Sequence, residues 1–222
     1  MTTRYSQILE RIKKAVETRG EGPEVHLIAV SKKQSAEAVE VLYRLGHRDF
    51  GENYAQELVA KAQELERRGC TGIRWHFIGH LQSNKIKMIL PYVSVVHTVD
   101  SEKLAAKLAD AQADRGPLPI FLEVNIDHEE GKGGVSPEAV AGLASTVSKS
   151  SALQLQGLMC IPAAEGNSKE AFRKLNALEK TLRPSSQGML SMGMSSDFEM
   201  AIQEGATHVR VGTALFGERT KA

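Results

Sequence analysis

An α/β fold is predicted: a single closed (β/α)8 barrel of the TIM type, with one extra helix at the N-terminus. Three features of the 222-residue sequence point to it. Eight short apolar runs recur along the chain, segments with helical spacing separate them, and one more amphipathic segment precedes the first run. An open, doubly wound sheet is the other reading, because alternation alone does not report closure. The length is near the minimum for a complete barrel. No low-complexity linker or internal repeat beyond the alternation interrupts it, so residues 1–222 read as one domain.

The elements follow in order. Tyr5, Ile8, Leu9, Ile12 and Val16 fall at helical spacing over 3–19, and Gly20 and Gly22 end that helix. Strands are expected at 26–31, 49–53, 74–79, 93–99, 119–126, 153–161, 189–194 and 208–216. Helices are expected at 35–45, 54–68, 84–90, 101–113, 136–148, 167–182 and 197–204. Ser35 and Ser136 resemble N-caps, Asp100 or Ser101 opens another helix, and Gly46 and Gly205 stand where helices should stop.

Composition narrows the function. Apolar residues make up 41% and charged residues 25%, and the formal net charge is +1, so no overall field favours nucleic acid or an anionic membrane. No run of about 18 apolar residues and no apolar signal core occurs. Cys70 and Cys160 lack the spacing of a disulfide framework or zinc site and read as filler in a reducing compartment. A cytoplasmic protein is expected.

The candidate chemistry gathers at strand ends. The first run, L-I-A-V, is followed at once by Ser31 and Lys32, which is either a surface charge starting a loop or an amine placed for reaction. The second ends in Glu52 and Asn53, and the seventh continues as S-M-G-M-S-S-D. In the eighth, alternation turns His208, Arg210 and Gly212 to one side and Val209 and Val211 to the other. Arg210 is either paired with a core carboxylate or part of a site, since burying it alone would be expensive. Gly212-Thr213 and the Ser195-Ser196 turn fit a phosphate cradle, although either serine could be a plain helix cap. His76 and His80 lie four apart but lack the context of a metal site, and E-E-G-K-G-G (129–134) reads first as a solvated loop. Barrel closure would set Lys32 beside Arg210 and the Gly212-Thr213 turn. An amine, a phosphate cradle and an arginine about one pocket suggest pyridoxal 5′-phosphate (PLP) held as an imine. An arginine facing the pyridine nitrogen would keep that nitrogen unprotonated and weaken the ring as an electron sink.

Longer blocks carry a family resemblance. A-V-S-K (29–32), F-G-E-N-Y-A-Q-E (50–57), W-H-F-I-G-H-L-Q-S-N-K (75–85), H-T-V-D-S (97–101), K-G-G-V (132–135), G-L-M-C-I-P (157–162), S-M-G-M-S-S-D-F-E-M-A-I (191–202) and V-R-V-G-T-A-L-F-G (209–217) occur in one order. Together, from about residue 4 to 217, they resemble the pyridoxal phosphate homeostasis proteins, single-domain relatives of the alanine racemase barrel. The resemblance implies a fold-type III barrel with PLP covalently on Lys32 rather than Lys33. It also implies Arg210 facing the pyridine nitrogen, Ser195, Gly212 and Thr213 on the phosphate, and Asn53 beside the ring. The expected function is intracellular PLP homeostasis without catalytic turnover, with delivery to apo PLP-dependent enzymes. An amino-acid racemase is the alternative. It would need a second acid/base, which racemases take from a separate domain, and Tyr54 is the one tyrosine close enough to substitute. Absence of that partner domain favours a monomer. Lys132 is expected on the ligand side, receiving cofactor transiently or guiding its phosphate, or else simply solvated.

Overall fold

The computed structural model describes residues 1–217; the last five residues of the expected 1–222 domain lie outside the described residues. Its helix α1 (Thr2–Arg19) precedes the alternating series β1 (His26–Val30), α2 (Ala36–Arg44), β2 (Asp49–Glu52), α3 (Ala55–Arg67), β3 (Arg74–Phe77), α4 (Ile86–Ile89), β4 (Val93–Val99) and α5 (Glu102–Gln112). The second half holds β5 (Leu118–Glu123), α6 (Val140–Ser148), β6 (Leu153–Met159), α7 (Ser168–Lys180), β7 (Met189–Ser191), α8 (Phe198–Gln203), β8 (His208–Val211) and α9 (Thr213–Phe216). Short 3-10 turns lead into α4 and α6.

The eight strands are all parallel and close in sequence order, β8 returning to pair with β1 through His26↔His208 to Ala29↔Val211. Closure removes both sheet edges and decides against the open sheet. Both faces of every strand are covered, the outer one by helices and the inner one by the barrel's own filling. Leu27, Ala29, Phe50, Phe77, Val209 and Val211 turn outward into the layer of Ile8, Leu42, Leu58, Phe172 and Phe198 from the helices. Ile28, Phe121 and Met159, also fully buried, fill the barrel interior with His97 and Arg210. Helix α1 lies against α8 and α9, where Arg11 grips Glu199 through two bonds of 2.7 and 2.8 Å and Arg4 donates to the Phe216 carbonyl at 3.3 Å.

The boundary signals are mostly realised. Ser35 and Ser101 accept the N–H groups of Ala38 and Leu104, so Ser101 rather than Asp100 is the cap. Gly46 and Gly205 follow α2 and α8 with φ of 93° and 100°. Ser136 makes no capping bond and precedes a 3-10 turn instead. Several strands stop short of their apolar runs. The eighth ends at Val211, not 216: Gly212 turns the chain and Thr213–Phe216 forms α9, burying Leu215 and Phe216. An apolar run this short does not separate strand from helix. The sixth and seventh runs overshoot because Ile161 and Met194 belong to loops that line a cavity.

Candidate ligand pocket at the carboxyl ends of the strands

A cavity of about 260 Å³ opens at the carboxyl ends of β1, β2, β7 and β8. Lys32, Asn53, Ser195, Arg210, Gly212 and Thr213 all line it, so the six residues singled out in the sequence come together. Val30, Ile78 and Ile161 give it an apolar wall. A mostly apolar cleft with a few convergent polar groups at this end of a barrel is the usual form of a ligand site.

Lys32 is positioned by the turn that follows β1. The Ser31 N–H bonds to the Gly51 carbonyl at 2.9 Å, continuing the ladder one residue past the strand. Lys33 then takes a left-handed conformation, φ 60°, which costs a non-glycine residue roughly 1 kcal/mol. Its N–H is held by Glu57 Oε1 from the first turn of α3. The same Glu57 oxygen accepts Lys61 Nζ at 2.7 Å, and Lys61 also donates to Glu52 Oε1 at 2.7 Å and to the Ser31 carbonyl. Ser31 Oγ donates to Glu52 Oε1 at 2.6 Å. Burial raises the Glu52 carboxyl above its ordinary range, opposed by the Lys61 ammonium and the Ser31 hydroxyl. This buried cluster, directly beneath Lys32, was not anticipated. Its signal was Lys61 itself, which shares the apolar face of α3 with Leu58, Ala62 and Leu65.

Arg210 projects into the barrel and is buried at the edge of the cavity, which pulls its guanidinium down from its ordinary value. It donates from Nη1 to Ser191 Oγ at 2.8 Å and from Nη2 to the Cys160 carbonyl at 2.9 Å. Among the described residues no salt bridge joins it to a carboxylate, so the core ion-pair reading is set aside. Glu123 is near enough to feel its charge, but burial dominates and raises that carboxyl.

Opposite Lys32, Ser195 Oγ accepts the N–H groups of Gly212 at 3.3 Å and Ala214 at 3.4 Å, tying the β7 loop to the β8 turn. A Cβ on Gly212 would come no nearer than 3.4 Å to Val30, so the protein's own packing does not demand glycine there. Gly193 differs: with φ 90° and a Cβ that would sit 2.6 Å from Ala201, it is required by the fold. Neither Ser195 nor Ser196 caps α8; Asp197 occupies the cap, and its Oδ1 accepts the Met194 N–H at 2.7 Å. Asn53 Oδ1 is buried without a hydrogen-bond partner among the described residues. An orphaned acceptor of this kind costs about 1–3 kcal/mol unless something outside the chain satisfies it.

The remaining sequence candidates lie elsewhere. Tyr54 is half exposed and lines an adjoining cleft with His80 and Lys85. Lys132 donates to the Pro162 carbonyl at 3.1 Å and faces Glu129 at 3.4 Å, strapping the β5 loop to the β6 loop instead of lining the cavity. His76 is buried inside the barrel and His80 is exposed, so they do not face one another. Both cysteines are buried, and burial pushes the Cys160 thiol up to about 12.

Residues 4–220 match the family model for the alanine racemase N-terminal domain. A protein of Escherichia coli K12 named pyridoxal phosphate homeostasis protein is 39% identical over 222 residues, covering 96% of this chain and 94% of the relative. One of the same name from Pseudomonas aeruginosa is 42% identical over 218 residues, with coverage of 96% and 94%. Among solved structures, PipY of Synechococcus elongatus with PLP bound superposes with a TM-score of 0.81 at 33% identity, over 94% of this chain and 99% of that one. Alanine racemase from Corynebacterium glutamicum shares the fold, with a TM-score of 0.68 at 16% identity over 94% of this chain and 60% of that one.

Proposed function

The chain belongs to the pyridoxal phosphate homeostasis proteins, within the family of the alanine racemase N-terminal domain, and from that premise we propose that it binds PLP in the cavity above and serves intracellular PLP homeostasis. One observation carries the assignment of residues: an amine, a guanidinium, an orphaned amide oxygen and a hydroxyl-and-glycine cradle line a single cavity at the strand ends.

The residues fit the cofactor. Lys32 Nζ would hold it covalently at its aldehyde carbon. The Ser195 hydroxyl and the Gly212-Thr213 turn, which stays open where a side chain could stand, would hold its phosphate. Asn53 would lie beside the ring, its Oδ1 gaining a partner there. Arg210, a donor on every nitrogen, would meet the pyridine nitrogen as an acceptor and keep it unprotonated. When bound, PLP supplies an aldehyde that exchanges between amines and a ring that draws electrons. An unprotonated ring draws them weakly, which suits holding and handing on more than turnover.

The same reading takes residues 1–222 as one domain, a cytoplasmic monomer that passes cofactor to apo PLP-dependent enzymes. Lys132, tied to Pro162, acts as a loop strap in it. An amino-acid racemase is not favoured: the relatives that cover the chain carry the homeostasis name, and Tyr54 lines a different cleft. The test is the visible spectrum of purified protein with added PLP, then borohydride reduction and peptide mapping. A yellow band and a reduced adduct on Lys32 are expected, with transfer restoring activity to an apoenzyme. An adduct scattered over surface lysines, or racemisation of alanine that is lost in Lys32→Ala, would overturn the reading.

A further inference from the structure

The interior of a parallel eight-stranded barrel is ordinarily filled by branched aliphatic side chains. Here it carries a file of polar groups from one mouth to the other. Arg210 Nη1 meets Ser191 Oγ at 2.8 Å, Ser191 Oγ meets His97 Nδ1 at 2.9 Å, His97 Nε2 meets His76 Nδ1 at 2.9 Å, and His76 Nε2 meets Asp49 Oδ1 at 3.1 Å. Five strands contribute one residue each, and Asp49 is the first residue of β2, at the mouth opposite the cavity. There Arg74 Nε pairs with Asp49 at 2.6 Å.

With both histidines neutral, the direction of every bond in this file is fixed by its ends. Arginine can only donate, and an ionised carboxylate can only accept. Asp49 is ionised, because His76 and Arg74 hold its carboxyl well below the ordinary range in spite of its burial. Burial favours the neutral form of each histidine, pulling His76 and His97 down. His76 must therefore carry its proton on Nε2 to serve Asp49, leaving Nδ1 to accept. His97 must likewise carry its proton on Nε2, leaving Nδ1 to accept from Ser191. The serine gives its proton away from Arg210 and offers Arg210 a lone pair. All four bonds run the same way, and bonds aligned in this manner polarise and strengthen one another. His97 is locked in place as well, stacked on Phe121 with ring centroids 4.5 Å apart and an interplanar angle of 16°.

We propose that the file Ser191–His97–His76–Asp49 fixes the orientation of the Arg210 guanidinium at the floor of the cavity, making His97 and His76 positioning residues for the bound cofactor although neither lines the cavity. Arg210 would then be clamped at two points, by this file and by the Cys160 carbonyl, with its other N–H groups directed at the ligand. The effect on PLP rests on the reading under Proposed function; the clamp itself does not.

Two measurements test it. The first needs no cofactor: two-bond ¹⁵N–¹H correlation spectra report the histidine tautomers, and guanidinium resonances report Arg210 exchange. His76 and His97 are expected as neutral Nε2–H tautomers, with Arg210 signals that are sharp in the wild type and broadened in Ser191→Ala. A proton on His97 Nδ1, a charged His97, or Arg210 signals indifferent to Ser191→Ala would overturn the clamp. The second is titration with PLP. Ser191→Ala and His97→Phe should weaken retention about three- to tenfold and move the bound-cofactor absorption maximum, while His97→Gln, which keeps a donor and an acceptor, should stay within about twofold of wild type. His208→Phe, in the same buried layer but bonded to Thr207, controls for general softening and should lower melting temperature without moving the maximum. Variants on the file that behave like His208→Phe would reduce it to barrel filling. If wild-type protein gives no band and no Lys32 adduct, the PLP reading fails, while the spectra still decide the clamp.

Discussion

The two sides of the barrel wall differ in length and in chemistry. On one side β4, β5 and β6 run for seven, six and seven residues; on the other β7, β8, β1 and β2 run for three, four, five and four. Every candidate ligand residue comes from the short strands or the turn just past them: Lys32 after β1, Asn53 after β2, Ser195 after β7, and Arg210, Gly212 and Thr213 on or after β8. Short strands release the chain early, so their loops fold over the barrel mouth and bring backbone donors and special side chains inward. Long strands extend the hydrogen-bonded ladder and carry apolar residues such as Leu122, Leu155 and Leu158 into the core. The candidate site is thereby confined to one part of a closed sheet whose core runs through all of it.

Matched substitutions across the wall should separate the two sides most. Lys32→Ala should abolish the reduced PLP adduct, with unfolding free energy within about 1 kcal/mol of wild type. Leu158→Ala on β6 should do the reverse, costing about 2–5 kcal/mol while the folded fraction still forms the adduct. Urea unfolding and adduct mass on both variants check this, and a large adduct loss in Leu158→Ala would break the contrast.

A pH series sharpens it for the interior shared by both sides. His208 is drawn by burial from its ordinary 6.5 to about 3, and burial lowers His76 and His97 too. The unfolded chain binds these protons first, so stability is full above about pH 6.5 and is lost as the pH falls from there towards 3. Each such histidine contributes a slope of about 1.4 kcal/mol per pH unit inside its window. Chemical unfolding between pH 7 and 5 should show the decline; a flat profile would mean that the histidines remain solvated.

Asn53→Ala should weaken PLP about tenfold and leave stability unchanged or slightly raised, since it removes a buried acceptor that the described residues do not satisfy. Calorimetric titration beside thermal melting would show both. Lys132→Ala should have the smallest effect, with uptake and release rates within about twofold of wild type, because its amine is engaged by Pro162 and Glu129. Stopped-flow rates outside that range would return Lys132 to the site.

Much of this was legible in the sequence. Alternating runs gave the order of elements, the rule that ligands sit at strand carboxyl ends picked out Lys32, Arg210 and Gly212, and the expectation of a closed barrel set them side by side. Strand ends were the weak point, because Ile161, Met194 and Leu215 are apolar for reasons other than pairing. The support beneath the site was hidden for a different reason. His76, His97 and Ser191 stand 21 and 94 residues apart along the chain, and only closure brings their side chains into line. Lys61 was visible as a charge on an apolar helix face, but nothing local says that Glu52, Glu57 and the Ser31 carbonyl converge on it.

The left-handed turn at Lys33 would give the proposed PLP carrier an internal gauge of occupancy. It parts two adjacent lysines of one peptide, leaving Lys33 in solvent and Lys32 on the cavity wall. An amine-reactive mass tag applied to intact protein, followed by a protease that does not cut at lysine, therefore samples both environments in the same fragment. With PLP carried on Lys32 as proposed, the ratio of tag on the two positions would read how full the cavity is, without knowing how much protein is present.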